Sequence, residues 1–264
     1  LKIKSIKNLK KKIDLVIIAT TSDSRVEVLK KILKVATIKK VIFEKTLCRS
    51  IRQLSVLKKL NNQYNLKSWI SSPKPTWLDY LKLKKKINYK KNKQFSILVN
   101  GSNWGFASNI IHFLHLVDYI FDSPNIISTS LKVNEQWFPT KRNSYYDTHG
   151  IYEVIYNNFS TLTLEDNKNK KSRNWEMIIE YNNEKIVIDE LKGKMLIKNK
   201  KHIFKAENLS DNYKYELKKI LINGKTNLPN LVDSINKHNY LMKDFLVSWN
   251  NYRKYKNNTI LPVT

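Results

Sequence analysis

The chain has 264 residues and a formal net charge of +27, long enough for one large domain or two small ones. Lysine is spread along the whole length beside abundant Asn and Ile, so the charge reads as a solvated basic surface, and no RNA-binding sheet signature, zinc-finger spacing or basic heptad helix points to a specific nucleic-acid partner. Cys48 is the single cysteine, which excludes an intrachain disulfide and a cysteine metal cluster and suits a reducing cytoplasm, while no apolar run approaches the roughly 18 residues of a membrane span.

The basic stretch 1–12 is not followed by a signal-peptide cleavage pattern. Residues 15–19 form a continuous apolar run and residues 40–43 a second, β-branched one. Continuous rather than alternating apolar character suits parallel strands buried on both faces. Val26, Leu29, Ile32 and Leu33 recur between them at helical spacing, which predicts a β-α-β unit. Ligands of open α/β sheets sit beyond the carboxyl ends of the strands. Thr20-Thr21-Ser22 and Glu44-Lys45 both lie at such ends. A helix follows over 50–61, with Ile51, Leu54, Leu57 and Leu60 on one face, then a short strand over 66–70. Ser71-Ser72-Pro73-Lys74-Pro75 breaks regular structure. A domain boundary is placed near Asn65, dividing the chain into 1–65 and 66–264.

Residues 77–87 read as a helix, 94–100 as a strand and 109–121 as a strongly apolar helix. Alternating segments follow at 126–133, 152–155, 160–164, 175–181, 185–189, 195–198 and 202–205, with hairpin turns at 181–184 and 199–200. Successive hairpins predict a large open, mainly antiparallel sheet with one face buried. A last helical region spans 231–253. The predicted fold class is therefore α/β plus α+β, a partial parallel sheet followed by the antiparallel one.

The segment 101–116 carries the densest chemistry. It is a Gly-bounded loop running into a helix, where Ser108 or Asn109 is placed to cap. His112 lies near the positive end of the helix dipole, which favours its neutral form. A neutral imidazole can accept a hydroxyl proton. His115, three residues on, lies on roughly the same face. The plain alternatives are a helix histidine packed among Ile111, Phe113 and Leu116, and, for Lys45, a solvated strand-end lysine. Asn103 and Trp104 suit a sugar site, since aromatic faces stack on sugar rings; core packing suits Trp104 equally. Trp69, Trp77 and Trp137 read as core or interface, and His202 and His238 as structural; residues 143–149 form a polar, aromatic segment that suits a substrate grip, with an ordinary surface loop the preferred reading. The Ser22 hydroxyl suits a cofactor contact or a turn.

These segments resemble the glucose–fructose oxidoreductase, inositol dehydrogenase and MocA family of NAD(P)-dependent sugar oxidoreductases. That family shows a strand ending in Ala-Thr-Pro-Asn and another ending in Glu-Lys-Pro. Here they read Ala19-Thr20-Thr21-Ser22 and Glu44-Lys45-Thr46. Its Asp-x-x-x-His-x-x-Asp helix pattern reads Ser108-x-x-x-His112-x-x-His115. The resemblance implies a Rossmann-type domain, then a substrate domain built on an open sheet, with NAD or NADP as cofactor. It implies Lys45 and His112 as catalytic residues, Thr20, Ser22 and Glu44 toward the cofactor, and Asn103, Trp104, Ser108 and His115 toward the substrate. Serine at 108 removes one partner of a two-residue proton relay. The first glycine is Gly101, so no Gly-rich turn cradles a pyrophosphate after the first strand. The expectation is an N-terminally incomplete chain, short by about 60 residues or two β-α units, in which NAD(P) binding is weakened or lost. The implied activity is oxidation or reduction of a sugar or sugar nucleotide. The alternative is a non-catalytic sugar-binding or assembly relative. A homo-oligomer through the open sheet face is expected in either case.

Overall fold

The β-branched run at 40–43 lies in the central strand of a parallel sheet. In the computed structural model, which describes residues 6, 9, 11–90, 93–134, 136–168, 172–207 and 209–264, Val41, Ile42 and Phe43 are fully buried. Most of the basic stretch 1–12 lies outside the described residues. The first unit runs β1 (Lys12–Ile13), β2 (Val16–Ile18), α1 (Arg25–Val35), β3 (Thr37–Ile38), β4 (Lys40–Glu44), α2 (Ile51–Gln63) and β5 (Lys67–Ser71). Strands β2, β4 and β5 pair in parallel in that order, and β1 pairs with β3. Helix α1 buries Val26, Leu29 and Ile32, and α2 buries Leu54 and Leu57. Ser50 caps α2 by accepting from the Gln53 N–H.

The boundary expected near Asn65 falls inside this unit. Asn65 occupies a left-handed turn (φ 47°) between α2 and β5, and β5 extends the parallel sheet beyond it. A polar helix-to-strand turn has the composition of a linker, which is why it read as one.

A 3₁₀ turn at Lys74–Thr76 and α3 (Leu78–Ile87) lead to β6 (Phe95–Ser102) and α4 (Phe106–Ile120). Strands β7 (Ile126–Val133), β8 (Phe138–Pro139), β9 (Tyr146–Asp147), β10 (Gly150–Tyr156), β11 (Thr161–Asn167), β12 (Asn174–Tyr181), β13 (Glu184–Asp189), β14 (Lys194–Ile197) and β15 (Lys200–Ile203) follow. Eight of them form one sheet in the order β15-β14-β13-β12-β6-β11-β10-β7. All its pairings are antiparallel except β6 with β11, so the sheet is mixed at its centre. Along β10, Tyr152, Val154 and Tyr156 point inward while Glu153 and Ile155 are exposed, the alternation of a sheet covered on one face.

Helix α5 (Leu209–Asn223) was not legible in the sequence. Its lysines and asparagines mask the apolar face, yet Ile220 is buried against Ile42, Trp69 and Leu228. Helix α6 (Leu231–Arg253) packs on α2, α4, β5 and β7, joining the two sheets. Beyond it, residues 258–264 run between the parallel unit and β9: the Leu261 N–H donates to the Arg49 carbonyl (2.8 Å), and the Tyr146 N–H of β9 donates to the Pro262 carbonyl (2.8 Å). No helix among the described residues is long and apolar enough to cross a membrane.

Gly101 shows how tightly the sheet centre is built. It sits opposite Trp175 across the β6–β12 pair. An added Cβ would collide with the Asn174 carbonyl and lie 2.7 Å from Trp175 Cα. Gly101→Ala is expected to destabilise the fold by about 1–3 kcal/mol, the usual effect of overpacking. Urea unfolding monitored by circular dichroism checks this; an unchanged midpoint would mean that β6 and β12 part freely.

Candidate active site

The carboxyl ends of β4 and β5 meet the first turns of α4 around a cavity of about 300 Å³. Each contributes for a local reason. Lys45 follows the last residue of β4, where the chain leaves the sheet. Ser71, Pro73 and Lys74 follow from β5. Asn109, His112 and Phe113 occupy one side of α4. The large sheet closes the cavity with Trp175 and Glu190.

The Lys45 ammonium donates to the Ser108 carbonyl (3.0 Å) and to Asn109 Oδ1 (2.8 Å). Burial pushes its pKa down to about 8, with neighbouring Glu44 opposing the shift. Glu44 accepts from Ser71 Oγ (2.5 Å), which itself accepts from the Tyr213 hydroxyl. Tyr213 belongs to α5, so the helix missed in the sequence braces the carboxylate. His112 Nδ1 is 2.9 Å from Ser72 Oγ, and Nε2 has no hydrogen bond to a described residue. Burial, with the Lys45 and Lys74 charges, holds His112 well below the ordinary histidine range. Burial and these neighbouring charges therefore favour its neutral form.

Sequence reasoning missed an ion pair in the cavity wall. Lys74, inside the Pro-rich breaker, is buried and bonds both oxygens of Glu190, which also accepts from the Tyr80 hydroxyl. Desolvation lowers the Lys74 pKa against the pull of Glu190 and raises that of Tyr80. The ammonium lies 4.9 Å from the Phe113 ring centre and 5.1 Å from that of Trp77. A lysine between two prolines carries no local signal for such a role.

The other expected residues divide. Trp104 lines the cavity although it is largely core, its indole donating to the Glu165 carbonyl (2.9 Å). Asn103 is outside the cavity, in a left-handed turn (φ 54°) after β6. Ser108 does not line the cavity, and reaches it only indirectly through its carbonyl, which accepts from Lys45. Its hydroxyl bonds Asp147 Oδ2 (3.1 Å) and faces a second depression of about 590 Å³ shared with Thr20, Glu44, Lys45 and Arg142. Ser22 is closed to a ligand: it is fully buried and donates to the Val263 carbonyl (2.8 Å). His115 is also displaced from its expected place. Three residues fall short of a full helical turn, so it turns toward α6, where Nε2 lies 2.9 Å from Ser234 Oγ. His238 beside it accepts from the Leu47 N–H (3.2 Å), bracing the loop after Lys45 from behind.

Residues 147–149 are buried rather than part of a surface loop. Asp147 accepts from the Ala107 N–H (2.8 Å) and so caps α4 from another strand, which is why the helix begins before Ser108 and Asn109. Its pKa is raised by burial against these hydrogen bonds. Arg25, buried in the first turn of α1, donates to the carbonyls of Lys45 and Thr46.

No family model matches the sequence, and no curated protein matches it. Solved structures do. A super-repressor mutant of Gal80p from Saccharomyces cerevisiae superposes with a TM-score of 0.70 at 13% identity, covering 90% of this chain and 78% of that one. UDP-N-acetylglucosamine 3-dehydrogenase GnnA from Acidithiobacillus ferrooxidans gives 0.68 at 11%, covering 88% and 77%. An inositol dehydrogenase homolog from Azotobacter vinelandii, complexed with NADH and myo-inositol, gives 0.67 at 10%, covering 87% and 74%. The chain thus has the fold of the glucose–fructose oxidoreductase, inositol dehydrogenase and MocA oxidoreductases, a Rossmann-type parallel unit followed by a large open sheet, as its signature segments implied.

Proposed function

We propose that this chain belongs to that oxidoreductase family and carries the substrate side of an NAD(P)-dependent enzyme acting on a hydroxyl or carbonyl of a sugar or sugar nucleotide. One observation carries the reading: Lys45, at the end of β4, and His112, on α4, come from separate signature segments and converge on one cavity. The sugar-nucleotide dehydrogenase and the NADH- and inositol-bound homolog that share the fold support it.

The residues present suit the nicotinamide end of such a cofactor. Thr20, Glu44 and Lys45 line the depression beyond the carboxyl ends of β2 and β4, the usual place for a ligand in this architecture. A glycine-rich pyrophosphate turn is not among them. When bound, the nicotinamide supplies the hydride acceptor. Lys45 donates to the substrate oxygen and stabilises negative charge developing there. Neutral His112 takes the hydroxyl proton as the carbonyl forms, with Ser72 holding its Nδ1 side. Trp104 and Trp77 offer apolar faces to the ring.

A second reading, a non-catalytic sugar-binding relative, is favoured by Ser108 and His115 standing where the family pattern has carboxylates, and by the likeness to Gal80p. The same cavity would then bind a sugar without turnover. With NAD(P) and substrate supplied, His112→Ala is expected to lower turnover by about 100- to 10,000-fold while cofactor affinity holds. Lys45→Met should abolish hydride transfer with little change in Tm. Activity within a few-fold of wild type in either variant removes that residue from the mechanism, and absence of turnover in the wild type, with sugar binding retained, selects the second reading.

The open sheet face supports a homodimer. Leu98, Ile178, Val187 and Leu196 are paired in register across four strands and half-buried, a stripe suited to a second copy. Light scattering at micromolar concentration is expected to give about twice the 31.3 kDa chain mass, and Ile178→Asp to return it to the monomer value. A monomeric wild type would overturn this.

A further inference from the structure

The charges around the cavity do not balance. Three cations, Lys45, Lys74 and Arg173, face two carboxylates, Glu44 and Glu190. Both carboxylates are already engaged: Glu190 with Lys74 and Tyr80, Glu44 with the Ser71 hydroxyl. Lys45 hydrogen-bonds only neutral acceptors, with the Glu44 carboxylate near it. Arg173 is exposed at the cavity mouth, its guanidinium 4.9 Å from the centre of the Trp175 ring. No described carboxylate pairs with it.

Resting on the reading of this cavity as a sugar site, we propose that its ligand is a pyranose carrying an anionic group, a carboxylate or a phosphate, which Arg173 binds at the mouth while the ring lies among Trp77, Trp104 and Trp175. The guanidinium is a planar fork matched to two oxygens of either group. Stacking on Trp175 limits its rotamers before the ligand arrives, so less freedom is lost on binding. The volume is at the small end for ligand cavities, enough for one sugar ring with its substituent at the opening. The overall +27 charge does not explain the arrangement, because exposed charges beyond about 8 Å are largely screened at physiological salt. Arg173 acts at contact distance, and its effect is specific to this opening.

Three of the chain's tryptophans line the cavity, so intrinsic fluorescence reports occupancy. The test titrates the chain with glucose, glucuronate and glucose 1-phosphate at one fixed ionic strength. It uses the wild type, Arg173→Gln and, as a control for general charge, Lys31→Gln on the exposed side of α1. At least one anionic sugar is expected to bind about tenfold or more tightly than glucose. Arg173→Gln should bring that affinity down to that of glucose, and Lys31→Gln should leave all affinities in place. Preference for glucuronate identifies a carboxylate, preference for glucose 1-phosphate a phosphate. Equal affinities for the three sugars, or an anionic preference that survives Arg173→Gln, overturn the inference and leave the sugar reading standing. No response to any of the three overturns both.

Discussion

A buried ammonium must be solvated by protein, and for Lys45 the first turn of α4 does this. The Ser108 carbonyl and Asn109 side chain take two of its three protons. An unpartnered ammonium at this depth would lose its proton or leave the site. The bond to α4 therefore couples the end of the parallel sheet to the start of the helix that covers the open sheet. Arg25 holds the same segment from the other side through the Lys45 and Thr46 carbonyls, and His238 holds the next N–H along. Three elements far apart in sequence thus define where one side chain points.

The start of α4 is itself positioned from a distance. Gly105 enters the helix in a left-handed conformation (φ 79°), and an added side chain there would press on Asn109. Asp147 caps the helix from β9 and lies against the Ser108 hydroxyl. A carboxylate therefore stands beside position 108 although residue 108 is not acidic. It faces the depression shared with Thr20 and Lys45 rather than the cavity of His112, so the two sides of Lys45 differ in character. One side is aromatic and holds the neutral imidazole. The other is lined mainly by polar and charged residues.

The cavity wall relies on the Lys74–Glu190 pair. Two desolvated charges are favourable only when mutual attraction and further hydrogen bonds offset their lost hydration. The Tyr80 hydroxyl and the surrounding rings of Trp77, Phe113 and Trp175 complete that environment. Because Lys74 follows β5 and Glu190 follows β13, the pair also ties the two sheets together.

The sequence by itself determined what short-range periodicity and composition control. The β-branched run at 40–43 predicted a strand buried on both faces, which put Lys45 near its carboxyl end. The strongly apolar stretch at 109–121 predicted a helix, which placed His112 just inside its start. Tertiary structure decided which polar groups share a space. Ser22 and Thr20 are two residues apart, yet one is sealed by the returning chain at Val263 and the other is exposed. His112 and His115 lie on one helix, yet only the first meets the cavity, because α6 occupies the direction of the second. Arg173, Glu190, Asp147 and Tyr213 carried no local pattern at all. A polar side chain's partner depends on which distant elements approach it, and that approach is settled by burying the apolar faces of whole helices and sheets together.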